Sequence, residues 1–515
     1  MRTTLLLWLA APALAAAAAA FAAAAPSSDA LLSAAREGQT TAVEAALRAG
    51  ADANAAEPDG TRALHLAVER NDVVATRALL ARGADVRAAT TLRITPLLLA
   101  CTNGNVQIVQ LLLAAKADPN GRDLAGETML MAAARGGNAA VISALLQAGA
   151  ERDARDEEYA QTALHLAARA GNVDAARTLI QAGADVMART RVGPEPPFRR
   201  IGGTQGKGVE KSPSPRGARP AIPGGKTPLH YAARDGHLEM VRLLLDAGAA
   251  IDDRDPNAIT PLLFAASNDR IAVAKLLIER GADIQAIDWY GRTPLYSAID
   301  VRNRDSPDPD AGSRTDTAGN LELIRLLLEK GAKPNTGIRE MPVVRSHVLP
   351  LGSLSWVDFT GETPFIRAAL AGDTVVMRVL LEHGADANLK TTQGTTALAA
   401  AAGMNWTVAQ TVTWSPAALL EAVRICLEAG NDVNAANSKG LRAIHAAANR
   451  GSGDIIEYLV AHGADPNAKD GEGRTAMDWA QGVFLATHPP TARPAAIEAL
   501  RKIGAGANVA IARPQ

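Results

Sequence analysis

Histidine is the side chain best suited to acid–base catalysis and metal binding near neutral pH, and four histidines of this protein share one sequence context. His65, His165, His230 and His445 each end a Thr-Pro-Leu-His sequence or a close relative of it. A catalytic histidine needs a converging nucleophile or acid, and a metal-binding histidine needs further ligands. Because regular recurrence along the chain accounts for these residues without either, we predict a structural role for them.

An aspartate-rich string at residues 305–316 is a second candidate for a metal site. From Asp308 onward it is similar to the start of a calcium-binding loop. That loop needs glycine at its sixth position and a bidentate glutamate at its twelfth, where this sequence has Ser313 and Gly319. We therefore predict a solvated acidic loop rather than a calcium site.

Other catalytic signatures are missing from the sequence. It contains no paired-cysteine motif, HExxH motif, phosphate-binding loop or nucleophile elbow. We predict a protein without enzymatic activity, metal or cofactor. Activity from an unrecognised site formed across several repeats is an alternative, and it would require non-periodic Asp or His residues to act together.

The four histidines belong to a repeated element with a period of about 33 residues, which indicates a stacked solenoid. The cleanest copy reads GKTPLHYAARDGHLEMVRLLLDAGA and starts at Gly225. The position of its threonine recurs at Asp29, Arg62, Thr95, Thr128, Thr162, Thr227, Thr260, Thr293, Thr363, Thr396, Arg442 and Thr475.

Each position of the repeat has a physical role. Thr227 can accept a backbone N–H at the start of a helix, and Pro228 suits the first helical position, where no donor is needed. Small residues such as Ala232 allow two helices to approach closely. Gly248 suits the left-handed cap that ends the second helix. Lys116 replaces that glycine in the third unit, so the geometry of its cap is in question.

The combination of TPLH, AA..G and GAD(V/P)N at constant offsets resembles the ankyrin repeat, over roughly residues 29–510. The resemblance implies an all-α repeat solenoid, an ankyrin-repeat array of about twelve helix–turn–helix units with β-hairpin fingers. It also implies that the first helices and the fingers line a concave, protein-binding surface. The histidine of TPLH is expected to bond the backbone of adjoining turns.

Insertions divide the predicted array. We expect a signal peptide at 1–25, repeats 1–5 at 26–190, a flexible basic Pro/Gly-rich insertion at 191–224, repeats 6–8 at 225–335, an apolar finger insertion at 336–360, and repeats 9–12 with a C-terminal cap at 361–510. The basic insertion is either a solvated loop or an arm that grips an acidic partner. The apolar insertion either docks on neighbouring fingers or binds a partner.

Aromatic residues are scarce, so their positions are informative. The predicted partner-binding residues are Trp289 and Tyr290 at one finger tip, Trp356 and Phe359 in the apolar insertion, and Arg199 and Arg200 as steering charges. For Trp289 and Tyr290 the alternative is packing under the apolar insertion. Tyr159 is a weaker candidate at an equivalent tip. Trp406 and Trp414, in an insertion between two helices, are expected to pack locally.

The N-terminus predicts the compartment. One positive charge and an apolar, alanine-rich run from Leu5 to Ala25 fit a secretory signal peptide, and an uncleaved membrane anchor is the alternative. Abundant Ala and Arg with few Lys suggest a GC-rich bacterium, so the periplasm is expected, with secretion as the alternative. Cys101 and Cys426 lie too far apart in the array to form a disulfide and are expected to be packing residues.

A formal net charge of −1 gives no electrostatic reason to expect nucleic acid or an anionic membrane as a partner. We therefore predict a monomeric protein–protein interaction scaffold or adaptor of the cell envelope, with no membrane span after signal cleavage. The alternative is a structural or stabilising accessory subunit of an exported enzyme complex, for example a redox enzyme.

Overall fold

The computed structural model describes residues 28–194, 222–304, 317–339, 359–404, 414–483 and 491–504. The chain divides into two compact units. Unit 1 extends to Arg191 and includes Asp246–Ala249, and unit 2 comprises Val192–Leu245 and Ala250–Gln515. The predicted signal peptide at 1–25 lies outside the described residues.

The helices of unit 1 follow one another in pairs. They are α1 (Ser28–Glu37), α2 (Thr40–Arg48), α3 (Ala63–Glu69), α4 (Val73–Ala81), α5 (Pro96–Asn103), α6 (Val106–Ala114), α7 (Met129–Arg135), α8 (Ala139–Gln147), α9 (Ala163–Ala170) and α10 (Val173–Gln181).

The helices that follow are paired in the same way. They are α11 (Pro228–Asp235), α12 (Leu238–Asp246), α13 (Pro261–Ser267), α14 (Ile271–Glu279), α15 (Pro294–Arg302), α16 (Thr317–Glu329), α17 (Pro364–Ala371), α18 (Thr374–Glu382), α19 (Ala397–Ala402), α20 (Pro416–Glu428), α21 (Ala443–Arg450), α22 (Gly453–Ala461), α23 (Ala476–Gly482) and α24 (Pro494–Lys502). This architecture confirms the predicted all-α repeat solenoid.

Threonine caps the first helix of most pairs. Thr95 Oγ1 accepts the Leu98 N–H at 3.2 Å, and Thr293 Oγ1 accepts the Tyr296 N–H at 3.1 Å. The contact at Thr227 is of a different kind. There, Nδ1 of His230 accepts the Thr227 N–H at 3.1 Å. A histidine at the third helical position thus satisfies the N–H that precedes the helix.

Stacking, rather than intrinsic helicity, stabilises these short helices. Helix α7 has seven residues, too few to persist alone in water. It packs against α5 and α9, while α8 packs against α6 and α10. Ala132, Ala133 and Ala134 of α7 are completely buried or nearly so. Their small side chains allow the close approach of neighbouring helices that the sequence predicted.

Tight turns, which we call finger turns, connect one helix pair to the next. Examples are residues 123–127, 288–292 and 470–474. Regular strands are absent from the described residues, and the β-structure there consists of two isolated antiparallel bridges, Ala56–Arg62 and Arg122–Thr128. In the described residues the predicted β-hairpin fingers are therefore turns with occasional bridges.

The asparagine that ends the Gly-Ala-Asp-x-Asn segments and their close variants links successive repeats. Asn120 Nδ2 donates to the Gly149 carbonyl at 3.1 Å, and its Oδ1 accepts the Glu151 N–H at 2.8 Å. Asn434 makes the equivalent pair of bonds with Gly463 and Asp465. These bonds connect each of the two turns to the repeat that follows it.

Lys116 preserves the cap geometry that its position requires. Its φ of +71° is left-handed, as is that of Gly83 (+77°) and Gly149 (+91°) at the same position of neighbouring repeats. The Ala117 N–H bonds to the Leu112 carbonyl at 2.9 Å, which closes the end of α6. The doubt that the sequence raised about this cap is thereby resolved.

Within the described ranges, every helix is too short or too polar to span a bilayer. Cys101 and Cys426 are free and buried, and burial raises the pKa of both thiols far above the ordinary value. Both cysteines therefore pack as small apolar residues, as predicted.

Candidate partner-binding surfaces

Most finger turns in the described residues are ordered by the side chain of their first residue. In the turn 288–292, Asp288 Oδ1 accepts the Arg292 N–H at 2.8 Å, and Oδ2 accepts the Arg292 Nε–H at 2.7 Å. Burial raises the pKa of the Asp288 carboxyl, and the guanidinium of Arg292 opposes that shift. Asp470 and Arg474 repeat this arrangement. An aspartate at the first position therefore fixes the turn that presents the tip residues.

Backbone hydrogen bonds join successive finger turns. The second residue of one turn donates to the third residue of the turn before it. In unit 1, Leu124 N donates to Leu92 O at 3.2 Å; in unit 2, Trp289 N donates to Asn257 O at 2.9 Å. Thr392 N donates to Thr360 O at 2.7 Å in the same way. Each unit thus has a preformed edge of finger turns.

The predicted binding residues differ in accessibility. The side chain of Trp289 is partly exposed, whereas Tyr290 is 4% exposed and Phe359 is 5% exposed. The guanidinium of Arg292 lies 5.3 Å from the centre of the Tyr290 ring. Phe359 belongs to a buried cluster with Tyr296 and Ile338. Of the three described residues in the predicted set, Trp289 is therefore the one whose side chain reaches solvent to an appreciable extent.

Three further predicted site residues, Trp356, Arg199 and Arg200, lie outside the described residues. The same is true of Trp406, of most of the basic insertion and of the aspartate-rich string at 305–316. Their predicted roles stay predictions. Across the ranges that the structure does describe, no cluster of three or more His, Cys, Asp or Glu side chains could hold a metal ion.

Unit 1 exposes large apolar side chains on its finger turns. Leu92 is 56% exposed, Leu124 is 60% exposed and Tyr159 is 55% exposed. The sequence singled out Tyr159 because it is aromatic. It missed Leu92 and Leu124, because leucine is so common in this chain that only its position within the turn distinguishes these two.

An open cleft with a volume of 720 Å³ lies among the finger-turn stems of unit 1. Its apolar lining includes Leu97, Leu113 and Met129. The charged residues of the lining are four basic ones and one acidic one: Arg87, Arg93, Lys116, Arg122 and Asp118. This volume falls within the range of ~300–1,000 Å³ typical of ligand sites. The cleft therefore combines an apolar floor with a positively charged rim.

The histidines of the TPLH position have the predicted structural role. Nε2 of His65 lies 3.2 Å from the Ile94 carbonyl, and Nε2 of His445 lies 3.0 Å from the Ala468 carbonyl. Their Nδ1 atoms accept the N–H groups of Arg62 and Arg442. Burial lowers the pKa of both rings. These are neutral histidines that connect a helix start to the next turn.

A buried polar network joins separate repeats of unit 2. The fully buried Arg367 donates from Nε to Asp300 Oδ1 at 2.8 Å and from a terminal nitrogen to the Asn303 carbonyl at 2.7 Å. Arg302 Nε donates to Asp373 Oδ2 at 2.7 Å. Burial lowers the pKa of Arg367. Each of these two buried guanidinium groups is paired with a buried carboxylate, so the network serves to pack separate repeats together.

Comparison with known proteins identifies the repeats. A family model described as ankyrin repeats (3 copies) matches residues 31–123, 114–190 and 229–307. A model described as ankyrin repeats (many copies) matches residues 427–480, and a model of a single ankyrin repeat matches residues 360–392. No curated protein matches the chain. The crystal structure of the human ASB11 ankyrin repeat domain is similar at 24% identity, over 50% of this chain and 96% of that one, with a TM-score of 0.38.

The matched residues extend over more than half of the chain and coincide with the helix pairs described above. Ankyrin repeats are general protein–protein interaction modules and are typically non-enzymatic. The chain therefore belongs to the ankyrin-repeat proteins.

Proposed function

We propose that this protein is a non-catalytic adaptor or scaffold that is exported to the cell envelope and binds a protein partner through its finger turns and the adjoining concave face. The observation that carries this proposal is the exposure of Leu92, Leu124 and Tyr159 on finger turns of unit 1. Exposed apolar side chains that lie together on a folded surface favour contact with another protein.

Rigidity of the finger edge supports the same function. The hydrogen bonds between successive finger turns order the tip residues before a partner arrives. A preformed surface loses less conformational entropy on binding than a disordered one. We therefore expect the partner to bind with little change in the backbone of the finger turns.

In unit 2, Trp289 is the accessible member of the predicted anchors. We propose that it contacts the partner, with Trp356, Arg199 and Arg200 contributing from the insertions. Tyr290 and Phe359 would then support the tip residue Trp289 by packing inside the protein. Export is supported by the apolar N-terminal run with its single preceding arginine.

The test begins with capture of a partner from an envelope extract of the producing cell by the tagged mature chain. With that partner in hand, we expect Trp289→Ala to weaken binding by about 2 kcal/mol, roughly thirtyfold in Kd. Val375→Ala, which alters an exposed apolar side chain of α18, is the matched control and should leave Kd unchanged.

The outcomes discriminate between functions. A change of less than threefold for Trp289→Ala would show that the predicted site in unit 2 is wrong. Purification of the partner in a fixed ratio, with loss of the partner's stability when this chain is absent, would favour the accessory-subunit alternative. Retention of the unprocessed chain in the cytoplasm would overturn the proposed export.

A further inference from the structure

One arginine and one lysine of the unit 1 cleft occupy backbone positions that hold glycine in neighbouring repeats. Arg93 has a φ of +59°, and the corresponding residues of neighbouring finger turns are Gly60 (+87°) and Gly126 (+79°). Lys116 has a φ of +71° at the helix-cap position that glycine occupies in the adjoining repeats. Left-handed backbone is unfavourable for residues with a side chain, and strained residues of this kind tend to cluster at functional sites.

Both residues with a left-handed backbone line the same cleft, and both side chains carry a positive charge. Arg93 and Lys116 are exposed. Across the part of the chain that the structure describes, neither side chain takes part in a hydrogen bond or an ion pair. By contrast, Arg87 Nε donates to the Lys116 carbonyl at 3.2 Å, and Arg122 donates to the Arg155 carbonyl at 2.6 Å. Arg87 and Arg122 thus have structural bonds, whereas Arg93 and Lys116 are available to a ligand.

Charge and apolar surface in the cleft specify what it could accept. Asp118 is the single acidic residue against four basic ones, so the rim attracts negative charge. The floor includes Leu97, Leu113 and Met129 and would exclude water from an apolar side chain. Next to Arg93, Leu92 extends the apolar surface onto the finger turn. An anionic ligand with an apolar group satisfies both parts of the lining.

We propose that this cleft binds an acidic polypeptide segment, whose carboxylates pair with Arg93 and Lys116 and whose apolar side chain enters the cleft. The proposal rests on the proposed function as a protein-binding scaffold, and it adds the chemical class of the partner and the place where it binds. It also places recognition of acidic groups in unit 1, outside the basic insertion at 191–224 that the sequence suggested.

The backbone strain provides a test with two readouts of opposite direction. The variant carrying Arg93→Gly and Lys116→Gly should unfold at a higher temperature, because glycine adopts positive φ without strain. It should bind an acidic peptide roughly tenfold more weakly, because two charge pairs are lost. Ala160→Gly is the matched control, since Ala160 also has a positive φ (+53°) on a finger turn of unit 1 but does not line the cleft.

The probe is a fluorescein-labelled peptide of alternating aspartate and leucine, compared with an asparagine–leucine peptide of the same length by fluorescence anisotropy. Binding of the acidic peptide should weaken as salt is added. Arg93→Gln with Lys116→Gln removes both charges but keeps the strained backbone. It should lose binding without the rise in unfolding temperature. Ala160→Gly should gain stability without any loss of binding.

Equal binding of the two peptides, unchanged binding by the double glycine variant, or no binding of the acidic peptide at millimolar concentration would overturn the proposal. Capture of the envelope partner separates it from the proposed function. If the double glycine variant captures that partner as well as the natural chain does, the scaffold function stands and the cleft assignment falls. If the acidic peptide binds as described but no partner is captured, the cleft assignment stands and the scaffold function falls.

Discussion

Trp414 and Asn303 are 111 residues apart in the sequence, yet Trp414 Nε1 donates a 2.9 Å hydrogen bond to Asn303 Oδ1. The ring of Trp414 also lies 4.7 Å from the guanidinium of Arg302. Asn303 is completely buried, and its Nδ2 donates to Asp373 Oδ2 at 3.2 Å. Trp414 therefore contacts residues on the far side of an intervening helix pair, whereas the sequence predicted local packing.

The first prediction concerns this contact. Trp414→Phe keeps an aromatic ring near Arg302 but removes the donor to Asn303, so a buried oxygen loses a partner. We expect a loss of about 1–3 kcal/mol in the free energy of unfolding, measured by urea denaturation. Val375→Ala should change it by less than ~0.5 kcal/mol. An effect of Trp414→Phe no larger than that of Val375→Ala would show that the contact does not stabilise unit 2.

The second prediction concerns Arg367. Arg367→Met leaves the buried carboxylate of Asp300 without its 2.8 Å partner, and we expect a loss of about 3–5 kcal/mol in the free energy of unfolding. Adding Asp300→Asn to this variant removes the buried charge, so the double variant should lose less than the sum of the two single losses. Strict additivity in urea denaturation would argue against direct coupling. Arg304, which also donates to Asp300 at 3.2 Å, is retained in all of these variants.

The third prediction is the dependence of stability on pH. Burial lowers the pKa of His65, His230 and His445 below the ordinary value of 6.5. Below pH 6.5 the unfolded chain therefore binds more protons than the folded one, which favours unfolding. The contribution of these neutral rings is complete above that pH and is lost as the pH falls below it.

Thermal unfolding measured from about pH 8 to about pH 5 checks this direction, since that interval brackets the ordinary histidine pKa. His445→Gln should unfold at a lower temperature but show a shallower decline with acidification, because one titrating group is gone. A decline identical to that of the natural chain would exclude His445 as a contributor.

The fourth prediction concerns the links between repeats. Asn120→Ala removes the bonds to Gly149 and Glu151. We expect a cost of about 1–2 kcal/mol in the free energy of unfolding, because two backbone groups lose a partner that holds neighbouring repeats together. Asn120→Asp keeps an acceptor for the Glu151 N–H but places a negative charge beside the C-terminal end of α8, which is unfavourable. Both variants should therefore be destabilised, and full stability of either one would contradict the linking role.

Much of the architecture was determined by the sequence alone, because a repeat is specified by local rules. Threonine before proline starts a helix, alanine allows close stacking, and glycine ends the second helix, so the period and the residue types predicted the solenoid and the role of its histidines. The same rules explain why Lys116 keeps a left-handed cap. The surrounding turn determines the backbone conformation, and a residue other than glycine adopts it at a cost in free energy.

Tertiary structure alone decided which side chains face water and which distant residues meet. Tyr290 and Trp289 are neighbours at one finger tip, yet the first is buried and the second partly exposed. The bond between Trp414 and Asn303, and the meeting of Arg93 with Lys116 on one cleft, have no sequence signature. These contacts depend on the stacking of one repeat on the next. A pattern repeated within each unit carries no information about them.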